Sequence, residues 1–176
     1  VASNGKRLDA ALDGFATLRD ASHLVTRLRA VKSPAEIAHV RRAAELCDGA
    51  DRAAIETICA GADEGDVLAA MHNVIFRGGG DYPANEFIIG SGREALLCRY
   101  KAGRRKLDAR DQITLEFAGV FRHYHVAAMR THLVGEASGR HRRYHAAART
   151  ALAACEAEMR PGRTAGDVFS AHARAF

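Results

Sequence analysis

Glu116 stands inside an apolar, alternating run, Gln112 to Thr131 (QITLEFAGVFRHYHVAAMRT). A carboxylate there is costly unless it is paired, hydrogen-bonded or used. The alternation predicts a β-hairpin over 112–134. Alternate residues of a strand share a face, so Ile113, Leu115, Phe117 and Phe121 lie on one side and Thr114, Glu116, Ala118 and Val120 on the other. A turn centred between Phe121 and Arg122 sets Glu116 opposite Ala127, Ala118 opposite His125 and Thr114 opposite Met129, with partner Cβ atoms about 5 Å apart. Glu116 is expected to be largely buried and to face a cavity. A carboxylate so placed can attack an electrophilic carbon or activate water, and His125, on its face, can move protons near neutral pH. Arg99 (followed by Tyr100) and Arg130 can grip an anionic group through a bidentate guanidinium contact.

Other chemistry-bearing residues carry weaker patterns. His123 and His125 are two apart and point to opposite faces, a poor ligand pair. His141 and His145 have helical spacing, but Arg142-Arg143-Tyr144 between them lacks the glutamate of a zinc protease, so they read as surface histidines. Gly78-Gly79-Gly80 is a helix stop; no Lys-Ser or Lys-Thr follows to make a phosphate loop. The four cysteines, Cys47, Cys59, Cys98 and Cys155, form no C-x-x-C pair and read as reduced thiols of a cytoplasmic protein. No metal or cofactor is predicted.

The elements that must position Glu116 are readable on either side of it. Residues 8–19 suit a short helix and 20–31 a connector. Ser33-Pro34-Ala35-Glu36 is a capping box with Pro in the first turn, opening a helix with apolar residues at Ile37, Val40, Ala44, Cys47, Ala50, Ala54 and Ile58. A second helix over 64–77 carries Val67, Met71, Val74 and Ile75 on one side. Short strands are expected at 86–89 and 96–100 with a turn at Ser91-Gly92, then the hairpin. A helix over 140–159 ends at Pro161-Gly162, and Thr164 caps another. Helices, adjacent antiparallel strands and helices again define an α+β fold.

Bulk properties exclude several classes. The 176 residues are 48% hydrophobic and 27% charged, the composition of a globular chain. The net charge of +5 comes from 26 basic and 21 acidic residues, scattered and without Trp, which argues against nucleic-acid binding. No apolar run approaches a membrane span. The chain opens on Val1 and stops in a helical pattern at Phe176, as a piece of a longer protein would.

Four stretches carry a family resemblance: Arg29 to Ile37 (RAVKSPAEI), Phe87 to Gly92 (FIIGSG), Tyr124 to Thr131 (YHVAAMRT) and Met159 to Thr164 (MRPGRT). Together they resemble the creatinase/aminopeptidase P/prolidase group, whose catalytic domain is the pita-bread fold. The resemblance implies that 1–31 is a linker from a missing N-terminal domain and 32–176 the first part of the catalytic domain, incomplete at its C-terminal side. It also implies a homodimer acting on a small-molecule substrate. Metal-dependent members of the group hold an Asp at each of the positions of Glu116 and Ala127 to bridge two divalent ions, and a catalytic His at the position of Arg99. Alanine offers no donor atom, and arginine cannot act as a base at neutral pH. The segments Gly80 to Phe87 (GDYPANEF) and Glu116 to Gly119 (EFAG) are most similar to ectoine hydrolase. That similarity implies metal-independent hydrolysis of a C–N bond in a cyclic amidine, with Glu116 and His125 catalytic and Arg99, Tyr100 and Arg130 binding substrate. The alternatives are a divergent Xaa-Pro peptidase that uses metal and a pita-bread module that only binds.

Overall fold

The computed structural model describes residues 2–96 and 104–176. Helices α1 (Ala2–Leu12) and α2 (Ser22–Ala30) open the chain. The second stands where a connector was expected, and it buries no residue. Next come α3 (Pro34–Thr57) and α4 (Glu64–Arg77), then β1 (Ile88–Ser91), a 3-10 turn (Gly92–Leu96), β2 (Asp111–Phe121) and β3 (Tyr124–Val134). Helices α5 (Gly139–Glu158) and α6 (Ala165–Ala175) pack on each other at the end. The strand expected at 96–100 falls largely outside the described residues.

The starts of α3, α5 and α6 have a local cause. At α3 the Ser33 side chain accepts from the Glu36 amide, while Glu36 Oε2 accepts from the Ser33 amide at 2.6 Å. Ser138 and Thr164 cap α5 and α6 by the same reciprocal arrangement, which satisfies amides that the first turn leaves unpaired.

The sheet is antiparallel in the order β1-β2-β3, and one of its faces lies on α3. Ile113, Leu115 and Phe117 are buried there against Leu46, Cys47, Ala50, Val67, Met71 and Ile75. Gly119 marks the closest approach. A Cβ built on it would lie 2.0 Å from Ala43 O and 2.4 Å from Cys47 N, so sheet and helix meet there backbone to backbone. The helix stripe is rotated slightly from the sequence reading: Ala43 and Leu46 are buried, while Ile37 is exposed.

The register corrects the hairpin. Phe121 pairs with Tyr124, Ala118 with Ala127 and Glu116 with Met129. The loop is the two residues Arg122 and His123, at φ 51° and 64°. A two-residue turn with both φ positive matches the twist of the strands it joins, and this moves the partners two residues from the expected pairing. A shift of two preserves the faces. Ala127 therefore remains on the Glu116 face but stands diagonal to it.

Candidate functional site

The sheet face away from α3 carries Thr114, Glu116, Ala118 and Val120 from β2, with Thr131, Met129, Ala127 and His125 as their partners, and Ile88 of β1 on the other side of Glu116. Glu116 is half-buried rather than largely buried; Ala127 and Met129 are exposed. Among the described residues the face is exposed along β3, at Ala127, Met129 and Thr131, while Ile88, Ala118 and Val120 are buried, and two clefts lie elsewhere. One is lined by Arg93, Arg105, Asp108, Arg110 and Asp111, another by Gln112, Val134 and His141 among others.

His125 shares this face but does not reach Glu116. It pairs with Val120, four residues along β2, which is about 13 Å in an extended strand. Both its ring nitrogens are engaged. Nε2 lies 3.0 Å from the Ala84 amide and Nδ1 2.8 Å from His123 O. The structure thus places His125 beyond hydrogen-bond reach of the group it was expected to serve. Arg130 also lies apart from Glu116. It pairs with Leu115, on the helix-facing side, and its Nε lies 3.6 Å from Asp51 Oδ2. Strand alternation puts it out of phase with Met129, the partner of Glu116. Arg99 and Tyr100 lie outside the described residues.

Several polar groups escaped the sequence reading. Asp51 of α3 accepts from His132 Nε2 at 3.1 Å beside its contact with Arg130. Its signal was present: Asp51 follows Cys47 by four and precedes Ala54 by three, on the apolar stripe. Arg105 binds Ser91 Oγ at 2.8 Å and the carboxylates of Asp108 and Asp111. Burial pushes the Asp111 carboxyl up, but the bond from Arg105 and the amides of Asp108 and Gln112 outweigh it and hold it below its ordinary value. The same partnership raises Arg105. Glu64 is wholly buried, with Oε2 accepting from the Arg105 amide at 3.1 Å. These contacts fasten the 104–111 stretch to the start of α4 and to β1. Burial raises the Cys47 thiol and lowers His72, which stacks on Phe87 at 4.2 Å.

The metal bridge of the resembling family needs a second donor beside Glu116. Ile88, Ala118, Ala127 and Met129 bring no carboxylate or imidazole beside it and Thr114 and Thr131 only hydroxyls, and no group of three or more metal-binding side chains occurs among the described residues. The described residues do not fit a bridged pair of ions.

An antiparallel sheet backed by two long helices and followed by a helix pair defines part of a pita-bread domain. The chain belongs to metallopeptidase family M24, whose sequence profile matches residues 38–176. It is 35% identical over 163 residues to an uncharacterized hydrolase/peptidase of Sinorhizobium fredii, covering 90% of this chain and 42% of that protein. Identity to ectoine hydrolase of Halomonas elongata is 29% over 129 residues, 68% of this chain and 32% of that one. Prolidase from Pyrococcus furiosus superimposes with a TM-score of 0.84 at 26% identity, covering 89% of this chain and 47% of that structure. The chain thus spans less than half the length of these relatives. No helix among the described residues is long and apolar enough to cross a membrane, and Cys47, Cys59 and Cys155 are free.

Proposed function

We propose that the full-length protein hydrolyses a C–N bond in a small cyclic amidine of the ectoine type, as a cytoplasmic homodimer, without a bridged pair of metal ions. The observation that carries this reading is the setting of Glu116. It is a half-buried carboxylate on the sheet face away from α3, and its neighbours Ala118, Ala127 and Met129 supply no second carboxylate or imidazole. An amidinium carbon is electrophilic, and its delocalised cation pairs with a carboxylate. Glu116 either attacks that carbon or takes a proton from water as it adds. The C–N bond then breaks and the ring nitrogen leaves with a proton; where water added, the open-chain amide forms directly, and where Glu116 attacked, water then cleaves the Glu116–carbon bond, freeing the carboxylate and giving the same amide. Arg99 and Tyr100 hold the substrate carboxylate.

A second reading is favoured by one comparison. Identity to the Xaa-Pro dipeptidase of Pyrococcus furiosus is 28% over 147 residues, a longer stretch than the ectoine hydrolase match. The two readings part in a single experiment on the full-length protein: elemental analysis, then assays with ectoine and with an Xaa-Pro dipeptide plus manganese. Ectoine turnover by protein lacking stoichiometric metal is expected. Two equivalents of zinc, manganese or cobalt with dipeptide cleavage overturns the proposal, and inactivity on both substrates points to a binding module.

A further inference from the structure

The open face has one covered end. Val120 is wholly buried although it lies on the same side as exposed Ala127 and Met129, and the stretch 80–86 is tied to this end of the hairpin. Backbone and side-chain bonds fix it there: Asp81 N–H donates to Val120 O at 3.1 Å, and His123 N–H to Asp81 Oδ2 at 3.0 Å. The next anchor is the Ala84 amide on His125 Nε2. Beyond it, Phe87 is buried and stacked on His72, and Ile88 pairs with Glu116. The stretch therefore runs from the tip to the strand beside Glu116, and His125 is its midpoint fastening.

One protonation state satisfies both nitrogens of that ring. An amide N–H can only donate, so Nε2 must present its lone pair; Nδ1 then carries the proton, and it faces a carbonyl that accepts. An imidazolium would set N–H against N–H at Ala84. We propose that His125 is a positioning residue: as the neutral Nδ1-protonated tautomer it clamps residues 81–86 over the hairpin tip and so sets the rim of the Glu116 face. The clamp stands on its own geometry; its importance for turnover rests on the reading of that face as the reactive one. The other titratable or charged groups on the segments packed around the ring are Asp81, Tyr82 and Glu86 on the stretch and Arg122, His123 and Tyr124 at the tip.

The test uses the full-length protein. Amide hydrogen exchange at Ala84, corrected for its intrinsic pH dependence, is compared at pH 8 and pH 5 in four forms. In the wild type, protection is expected at pH 8 and a loss of tenfold or more at pH 5. His125→Gln keeps an acceptor that does not titrate, so its protection should not change with pH. His125→Phe should be unprotected at both. His123→Gly removes the neighbouring imidazole at a position whose φ suits glycine, and it should behave as the wild type. Nitrogen NMR of the imidazole should show the Nδ1-protonated tautomer at pH 8. Protected Ala84 in His125→Phe, an Nε2-protonated ring, or a pH response that vanishes in His123→Gly would overturn the clamp. In turnover, His125→Phe should raise KM several-fold with kcat nearly kept. A loss of kcat by several orders with Ala84 still protected would make His125 a chemical participant and end the proposal. Failure of the Glu116 reading shows separately, as turnover that survives Glu116→Gln, and leaves the exchange result untouched.

Discussion

The two faces of the β2–β3 hairpin are made from one alternating sequence and do opposite work. Toward α3, Ile113, Leu115 and Phe117 are sealed in the core, and the charged groups there, Arg130 and Asp51, bind one another with His132. On the other side Glu116 has small or flexible neighbours, much of the surface is open, and the covered end is held by polar contacts to a connecting stretch. Adjacent positions on one strand thus differ in what a substitution should change: stability on one face, chemistry on the other.

The largest contrast is in rate. Glu116→Gln in the full-length protein should lower turnover by several orders of magnitude with little change in melting temperature. Losing an auxiliary hydrogen bond instead costs on the order of 10²–10³. Steady-state kinetics beside a thermal melt decides it, and a near-normal rate removes Glu116 from the chemistry. The stability contrast comes next. Leu115→Ala empties a sealed position and should cost about 2–5 kcal/mol, whereas Met129→Ala on the open face should cost about 0.5 kcal/mol or less. Equal losses in urea titrations would mean that the open face is covered in the whole protein. Between these two, Gly119→Ala should cost about 1–3 kcal/mol by overpacking, since neither contacting backbone group is a flexible side-chain end that could move aside. A silent substitution there would show that helix and sheet can part freely.

The smallest effect is a local response to acid at the edge between the faces. Glu36 is held down to about 2 from an ordinary 4.5 by bonds from Ser33, with a further one from Tyr124 Oη at 2.8 Å. A depressed carboxylate stabilises the folded state above its unfolded value. That contribution fades as pH falls from 4.5 toward about 2. Exchange at the first amides of α3, corrected for its intrinsic pH dependence, should quicken as pH falls through that window and should lose this response in Glu36→Gln.

Much of this division was legible from periodicity. Alternation of two fixed which residues share a face, and the parity of Arg130 already placed it against the helix. The pairing was not legible, because Arg122-His123 carries none of the Asn-Gly or Asp-Gly signals of a two-residue turn. Two side-chain-bearing residues nevertheless occupy positive φ there. The tie between His125 and Ala84 spans 41 residues, and no local pattern announces a contact made only by tertiary folding. Helix α2 was hidden for the opposite reason: its exposed Leu24, Val25 and Leu28 meet no core, so no buried stripe marks it.

The contact at Gly119 has a consequence for how such a sequence can diversify. Where main chain rests on main chain, the depth of the sheet on the helix does not depend on the side chains displayed toward solvent. Residues at positions such as 127 and 129 can be exchanged, a carboxylate for a methyl group, without disturbing the scaffold that presents them. A single frame can then carry a succession of chemistries, its invention confined to one side of a ribbon whose other side is locked.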